Sequence, residues 1–202
     1  PKLRILTGGL TSFDDFEDVI RHVEFDNPLN NNPVAGNRSV LVTVTDEYDG
    51  VSTVATATIS VTLVNDPPSI DLDANDSSGA AGNDYKATFI AGTMNGAVAV
   101  VDIDTLVTDP DSTNMSAATI TLLNQLAGDV LNTSGAIPVG ITATGAGTGV
   151  ISLTGGASIA DYHTAIKAVR FDNTLDSPVD TIRNITVGIT DAGGDPGTAA
   201  NA

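Results

Sequence analysis

Leu6-Thr7-Gly8-Gly9, Phe25-Asp26-Asn27 and Arg38 followed by Val42-Thr43-Val44-Thr45-Asp46 all return later in the chain. They reappear as Leu153-Thr154-Gly155-Gly156, Phe171-Asp172-Asn173 and Arg183 followed by Val187-Gly188-Ile189-Thr190-Asp191. The offset is 146 residues at the Phe-Asp-Asn triplet (25 to 171) and 145 at the closing aspartate (46 to 191). Near-constant spacing over that distance predicts tandem modules. Residues 1–66 read as the last part of one repeat, and 67–202 as most of the next, lacking its last strand. The junction falls near Val64-Asn65-Asp66-Pro67-Pro68.

Period-two alternation marks the strands. Ser39 to Val44 and Val54 to Val64 flank Asp46-Glu47-Tyr48-Asp49-Gly50, a run of turn formers, and so predict a hairpin leading into the junction. In the second repeat 97–101, 118–123, 140–143, 149–153 and 183–189 are strand candidates. Many short strands separated by Gly, Pro, Asp and Asn turns predict an all-β antiparallel sandwich. Each repeat also predicts one short inserted helix. Ser158-Ile159-Ala160-Asp161 resembles a capping box, and Tyr162, Ile166 and Val169 follow on one helical face. The first repeat shows the same device in Ser12 to Asp15 with Phe16, Ile20 and Val23. Each helix leads into a strand that ends at Phe-Asp-Asn.

The chain is 41% hydrophobic but only 4% aromatic, with Thr, Val, Ile, Ala and Gly carrying the bias, which suits pleated strands better than helices. There is no cysteine, so either the compartment is reducing or something other than disulfides staples the module. The formal net charge of −17 disfavours nucleic acid and anionic membrane as partners. That excess is either a solubilising surface or a charge that cations screen. No stretch approaches the roughly 20 apolar residues of a membrane helix.

The motifs together resemble the cadherin-like tandem repeats of large bacterial adhesins exported by type I secretion, the RTX-type adhesins. Val64 to Pro68 is similar to that family's V-N-D-x-P junction, and Thr108-Asp109-Pro110-Asp111-Ser112 to its T-D-x-D-S loop. Ser158 to Asn173 is similar to its helix-plus-strand segment, and Arg183 to Asp191 to its R-x-I-x-V-x-V-x-D strand. The resemblance implies Greek-key, cadherin- or immunoglobulin-like sandwich repeats, spaced and stiffened by calcium, secreted or held at the cell surface.

The acidic residues gather at turns. Asp71-Leu72-Asp73-Ala74-Asn75-Asp76 can bring several oxygens together if the chain curls, although it lacks the later Gly and Glu of an EF-hand. Asp102 with Asp104, and Asp109 with Asp111, are two further D-x-D pairs. Alternating strand direction places the junction, the Asp109–Asp111 loop and the turn carrying Asp191 and Asp195 at one end of the sandwich. Asp26 and Asn27 of the preceding repeat, Asn65 and Asp66 of the junction, and Asp109, Asp111 and Asp191 are therefore expected to meet around Ca2+, a convergence the resemblance also implies. Turn and cap roles account for any one of these residues equally well.

Catalytic patterns are weak. His22 and His163 fall out of register between the repeats and are expected on helix surfaces. No serine has a G-x-S-x-G context, and no lysine follows the glycine-rich stretch 145–149 as a phosphate loop requires. The sequence thus predicts a non-enzymatic, calcium-stabilised extracellular spacer of a repeat adhesin, partnered by neighbouring repeats and by a host or biofilm surface ligand. The alternatives are a glycan- or protein-binding module and a module attached to a secreted hydrolase. A strand-swapped oligomer is a further expectation, with Val54 to Val64 of one molecule pairing with the edge near Arg183 to Ile189 of another.

Overall fold

The computed structural model describes residues 3–5, 12–27, 33–92 and 96–202. The chain divides into two compact units, Pro1–Leu63 and Val64–Ala202. Every strand pair among the described residues is antiparallel. None of the described helices is long and apolar enough to cross a membrane.

The first unit contains helix α1 (Phe13–Arg21) and a hairpin of β1 (Gly36–Val42) and β2 (Ala55–Val61). Ser12 caps α1 as its sequence predicts. Its Oγ accepts from the Asp15 N–H at 3.2 Å, and its own N–H donates to Asp15 Oδ2 at 2.9 Å, completing the box. The hairpin turn is held by Asp46, whose Oδ1 accepts from the N–H groups of Tyr48 and Gly50. Two expectations for this unit fail. Residues 23–27 form no strand, and α1 has no buried residue, with Phe13 90% exposed. Both failures have one cause: β1 and β2 are the only strands of this unit among the described residues, and no second layer among them covers the helix face or Phe25. Leu6 to Gly9 lie outside the described residues.

The second unit is all-β apart from one helix and has the antiparallel layers of a sandwich. Its strands are β3 (Ser69–Asp71), β4 (Val98–Ala99), β5 (Leu106–Thr108), β6 (Asn114–Leu122), β7 (Asp129–Thr133), β8 (Thr142–Thr144), β9 (Val150–Ser158), β10 (Val169–Asn173), β11 (Ile185–Asp191) and β12 (Ala200–Asn201). One sheet runs β12-β11-β6-β9-β8, a second runs β4-β10-β7, and β3 pairs with β5. Alternate residues of each layer enter one core. Ile185, Val187 and Ile189 of β11 and Ile151 and Leu153 of β9 meet Leu131 of β7 and Val169 and Phe171 of β10. Phe89 meets Phe171 edge-on, with ring centroids 5.3 Å apart.

Helix α2 (Ile159–Lys167) buries Tyr162, Ala165 and Ile166, and Val169 continues that stripe into β10. Ser158 Oγ accepts from the Asp161 N–H at 3.2 Å. The Gly-Gly of the repeated Leu-Thr-Gly-Gly lies in β9 just ahead of this cap. Gly155 has φ +124°, and a Cβ there would collide with the Gly140 carbonyl, so only glycine fits. The Gly155 carbonyl accepts from Tyr162 Oη at 2.7 Å, fixing the helix on the strand. The last strand, expected past Ala202, is present in its first residues: β12 pairs Asn201 with Thr186 and Ala200 with Val187. That stretch of the β11 edge is accordingly not open.

A buried charge ties the two sheets together. Asp129 at the start of β7 is 1% exposed, and its Oδ2 accepts from Arg183 Nε at 2.6 Å. Asn173 Nδ2 and the Leu126 N–H complete the carboxylate shell. Burial alone would raise Asp129, but the Arg183, Leu126 and Asn173 hydrogen bonds hold it below the ordinary value of 3.8.

Three substitutions test this packing by denaturant titration. Ser158→Ala is expected to cost about 1 kcal/mol through the lost cap, and Ile166→Ala about 2–5 kcal/mol through the cavity left behind. Asp129→Ala should cost about 3–5 kcal/mol, because Arg183 is left buried and unpaired. The Asp129 pKa is lower folded than unfolded, so its contribution is present above about 3.9 and lost as pH falls through the folded value. The acid limb of the stability curve should therefore be shallower in Asp129→Asn than in the parent chain.

Candidate metal centre

Two groups of three carboxylates each place oxygens within 4.8 Å of one another, Asp109 with Asp111 and Asp191, and Asp73 with Asp102 and Asp104.

The first group is built by three segments at one end of the second unit. β11 alternates inward Ile185, Val187, Ile189 and Asp191, so the last inward side chain of an apolar series is a carboxylate, and it is fully buried. The register with β6 shifts between Thr190 and Asp191, a bulge that re-aims the strand end. Asp191 Oδ1 then accepts from the N–H groups of Gly194 and Asp195, and its Oδ2 accepts from Asn65 Nδ2 at 2.6 Å. The same Asn65 amide donates to Asp195 Oδ2 at 2.8 Å. In the loop after β5, Asp109 Oδ1 accepts from the N–H groups of Asp111 and Ser112. Asp111 Oδ2 accepts from the Asp66 N–H at 3.1 Å, so Asp66 contributes its backbone to the assembly.

Each of the two loop carboxylates keeps one oxygen free. Asp109 Oδ2 and Asp111 Oδ1 are buried and have no hydrogen-bond partner. Burial pushes Asp109 above the ordinary carboxylate value; the N–H groups of Ser112 and Asp111 oppose the rise, and the Asp111 carboxylate adds to it. Burial also acts to raise Asp191, but the Asn65 amide and the N–H groups of Asp195, Gly194 and Gly193 outweigh it and hold the group low. Asp191 is thus kept ionised beside two further carboxylates.

The second group lies where the loop after β3 meets the segment between β4 and β5. Asp73 is fully buried, and its oxygens accept from the N–H groups of Ser77 and Ser78. Hydrogen bonds from Ser78, opposed by burial and joined by those from Ser77, hold its pKa down. Ser77 Oγ also donates to Asp102 Oδ2 at 2.8 Å, and Asp104 Oδ1 is buried without a partner. The D-x-D-x-N-D run does not converge as a single loop. Asp71 Oδ1 instead caps the Asp73 N–H and Asn75 Oδ1 the Ser77 N–H, so those two shape the turn while Asp73 alone joins Asp102 and Asp104.

Of the residues expected around one ion, the structure therefore assembles Asn65, Asp66, Asp109, Asp111 and Asp191, and adds Asp195. Asp26 and Asn27 belong to the first unit, where the Asn27 N–H donates to Asp26 Oδ1. His22 is exposed, as expected. His163 is not on the surface: it is half-buried, its Nε2 has no partner, and burial together with Lys167 pushes its pKa down. Sequence reasoning missed Asp129, a lone acidic residue with no neighbour to form a pattern.

The donor set fits a hard divalent cation. All the clustered side-chain donors are oxygens, with no His or Cys among them, which suits calcium and not zinc. The ion pairs among the described residues join Arg21 to Glu17, His22 to Asp18 and Arg183 to Asp129, and none reaches either cluster. Two like charges about 4 Å apart repel by about 4 kcal/mol at an effective dielectric of 20. Comparison with family models, curated proteins and solved structures gives no match.

The free oxygens give a prediction with two opposite signs. Asp111→Asn keeps the shape of the side chain and removes one of three crowded charges. In chelator it should melt at or above the temperature of the parent chain; in millimolar calcium it should melt below it. Scanning calorimetry in the two buffers reads both signs.

Proposed function

We propose that this chain is a calcium-stabilised extracellular spacer from a bacterial repeat adhesin, with cadherin-like Greek-key sandwich repeats and no catalytic role. The observation that carries the reading is the convergence of Asp109, Asp111 and Asp191 within 4.8 Å, with buried, unpartnered oxygens on two of them. That cluster stands at the entrance of the second unit, where Asn65 and Asp66 begin it. Rotating the Asn65 amide by half a turn would exchange its donor for a carbonyl oxygen, adding a ligand to the three carboxylates. The repeat offset of 145–146 residues supports a tandem array, and the sheet orders support the Greek-key assignment. In this role the bound ion supplies charge neutralisation, and the loops it joins stiffen the entry to the module.

An ion that binds only the folded state stabilises it by about 2.7 kcal/mol at a hundredfold excess over its dissociation constant. Millimolar calcium should therefore raise the melting temperature beyond what sodium of equal ionic strength does, and chelator should reverse the rise. A melt indifferent to both would remove the calcium role, and binding on a glycan array would favour the carbohydrate-binding alternative.

A further inference from the structure

The five-stranded sheet is kinked along one line that crosses β9, β6 and the end of β11. In β6 the inward side chains Leu122, Ile120 and Ala118 alternate, and the next in that series would be Ser116. The core instead receives Met115, which is fully buried and faces Asp191. β6 therefore carries one extra residue, Ser116, with no partner in the ladder to β11 and none in the ladder to β9. β9 gives way at the same level. Ala157 faces Met115 and Thr154 faces Ala117, so Gly155 and Gly156 are passed over. These are the glycines of the repeated Leu-Thr-Gly-Gly.

A bulge leaves backbone groups without their ladder partners, and here the side chain of the extra residue reaches them. Ser116 Oγ donates to the Asp191 carbonyl at 2.5 Å, with the Thr190 carbonyl at 3.5 Å. Those two carbonyls belong to the peptide units on either side of the Asp191 Cα, the units whose rotation would swing the carboxylate. The Gly194 N–H also lies 3.3 Å from the Asp191 carbonyl, but it donates at 2.7 Å to Oδ1 of the same residue. Two residues earlier in β6, the Asn114 carbonyl accepts from the Ala192 N–H at 3.1 Å and from Ser112 Oγ at 3.2 Å. The Ser112 N–H donates in turn to Asp109 Oδ1 at 2.6 Å. The start of β6 thus holds both halves of the cluster, the strand end with Asp191 and the loop with Asp109 and Asp111.

We infer that Ser116 is a positioning residue of the Asp109, Asp111 and Asp191 cluster. Its hydroxyl fixes the backbone on both sides of Asp191 and so sets the direction from which that carboxylate enters. The consequence for ion binding rests on the calcium reading; the bulge and its hydrogen bonds do not. A ligand set binds tightly only when the groups behind it hold each oxygen in place. Losing this hydroxyl leaves the three carboxylates in the chain but frees one of them to turn away.

Ser116→Ala tests the inference. Calcium is titrated while NMR follows the amide signals of Gly194 and Asp195, whose N–H groups donate to Asp191 Oδ1. Those signals read this cluster and not that of Asp73, Asp102 and Asp104. The dissociation constant should rise about two- to tenfold, the range set by one hydrogen bond of ordinary net strength. In chelator the same two amides should exchange with solvent faster than in the parent chain. Ser116→Thr, which keeps the hydroxyl, should bind calcium as the parent does. Ser158→Ala, which removes a helix-capping hydroxyl, should lower the melting temperature equally in calcium and in chelator and leave the dissociation constant unchanged. If Ser116→Ala behaves like Ser158→Ala, Ser116 is overturned as a positioning residue while the calcium reading stands. Amide signals that ignore calcium in the parent chain would overturn the calcium reading and, with it, the role drawn for Ser116.

Discussion

The two layers of the second unit are joined by apolar contact nearly everywhere and by charge at one place, Asp129. Its carboxylate belongs to the β4-β10-β7 sheet, and the guanidinium it accepts from is Arg183, two residues before β11 of the five-stranded sheet. A buried ion pair adds little net stability relative to an apolar pair of the same size, but it penalises every arrangement that separates the partners. Here it fixes how far β11 is displaced along β7. Asn173 joins the same carboxylate from β10, so three strands are brought into register by one acidic group. The apolar alternation of β11, with a side-chain period of two, needs that anchor because a one-residue slip would turn Ile185, Val187, Ile189 and Asp191 outward together.

The same register delivers Asp191 to the opposite end of β11, so the anchored arginine and the clustered carboxylates lie at the two ends of one strand. Asp129 has a cationic partner, and the Asp109, Asp111 and Asp191 group has none among the described residues. Among the described residues, compensation is therefore local for Asp129 and absent for Asp191, although N–H and amide donors hold both buried carboxylates. Hydrogen bonds orient a carboxylate and favour its ionised form, but they do not remove the repulsion between neighbours. On the proposed reading, the missing positive charge is the calcium ion.

Much of this was legible in the residues. Ser12 and Ser158 mark both helices because a cap needs a short side chain whose oxygen accepts the N–H three residues on, here that of Asp15 and of Asp161. The hairpin turn at Asp46 to Gly50 is legible because few residues tolerate its backbone, Asp49 having φ +64°. β7 was not legible: its burial alternates, but its inward positions are Asp129, Leu131 and Thr133, which do not read as an apolar face. β3 and β5 have three residues each, too few to show a period. The acidic clusters were legible as D-x-D pairs but not in their grouping. Asp73 meets Asp102 and Asp104 through a tertiary contact, while Asp71 and Asn75 turn inward on their own loop. The first unit was over-read for a physical reason: its pattern repeats that of the second, but an amphipathic stripe becomes a buried face only where another layer covers it.

That difference between two copies of one pattern bears on what a repeat is. The hairpin β1–β2 has the register of β11–β12, yet the same alternation leaves Leu41 66% exposed, while its counterpart Thr186 is partly covered by a second neighbour strand, β6. Local pairing is therefore set by the hairpin alone, and burial is set by strands more than fifty residues away in sequence. Backbone register is the same in the two settings, Val42 facing Ala55 as Val187 faces Ala200, because it is fixed by ladder geometry and not by what covers the sheet.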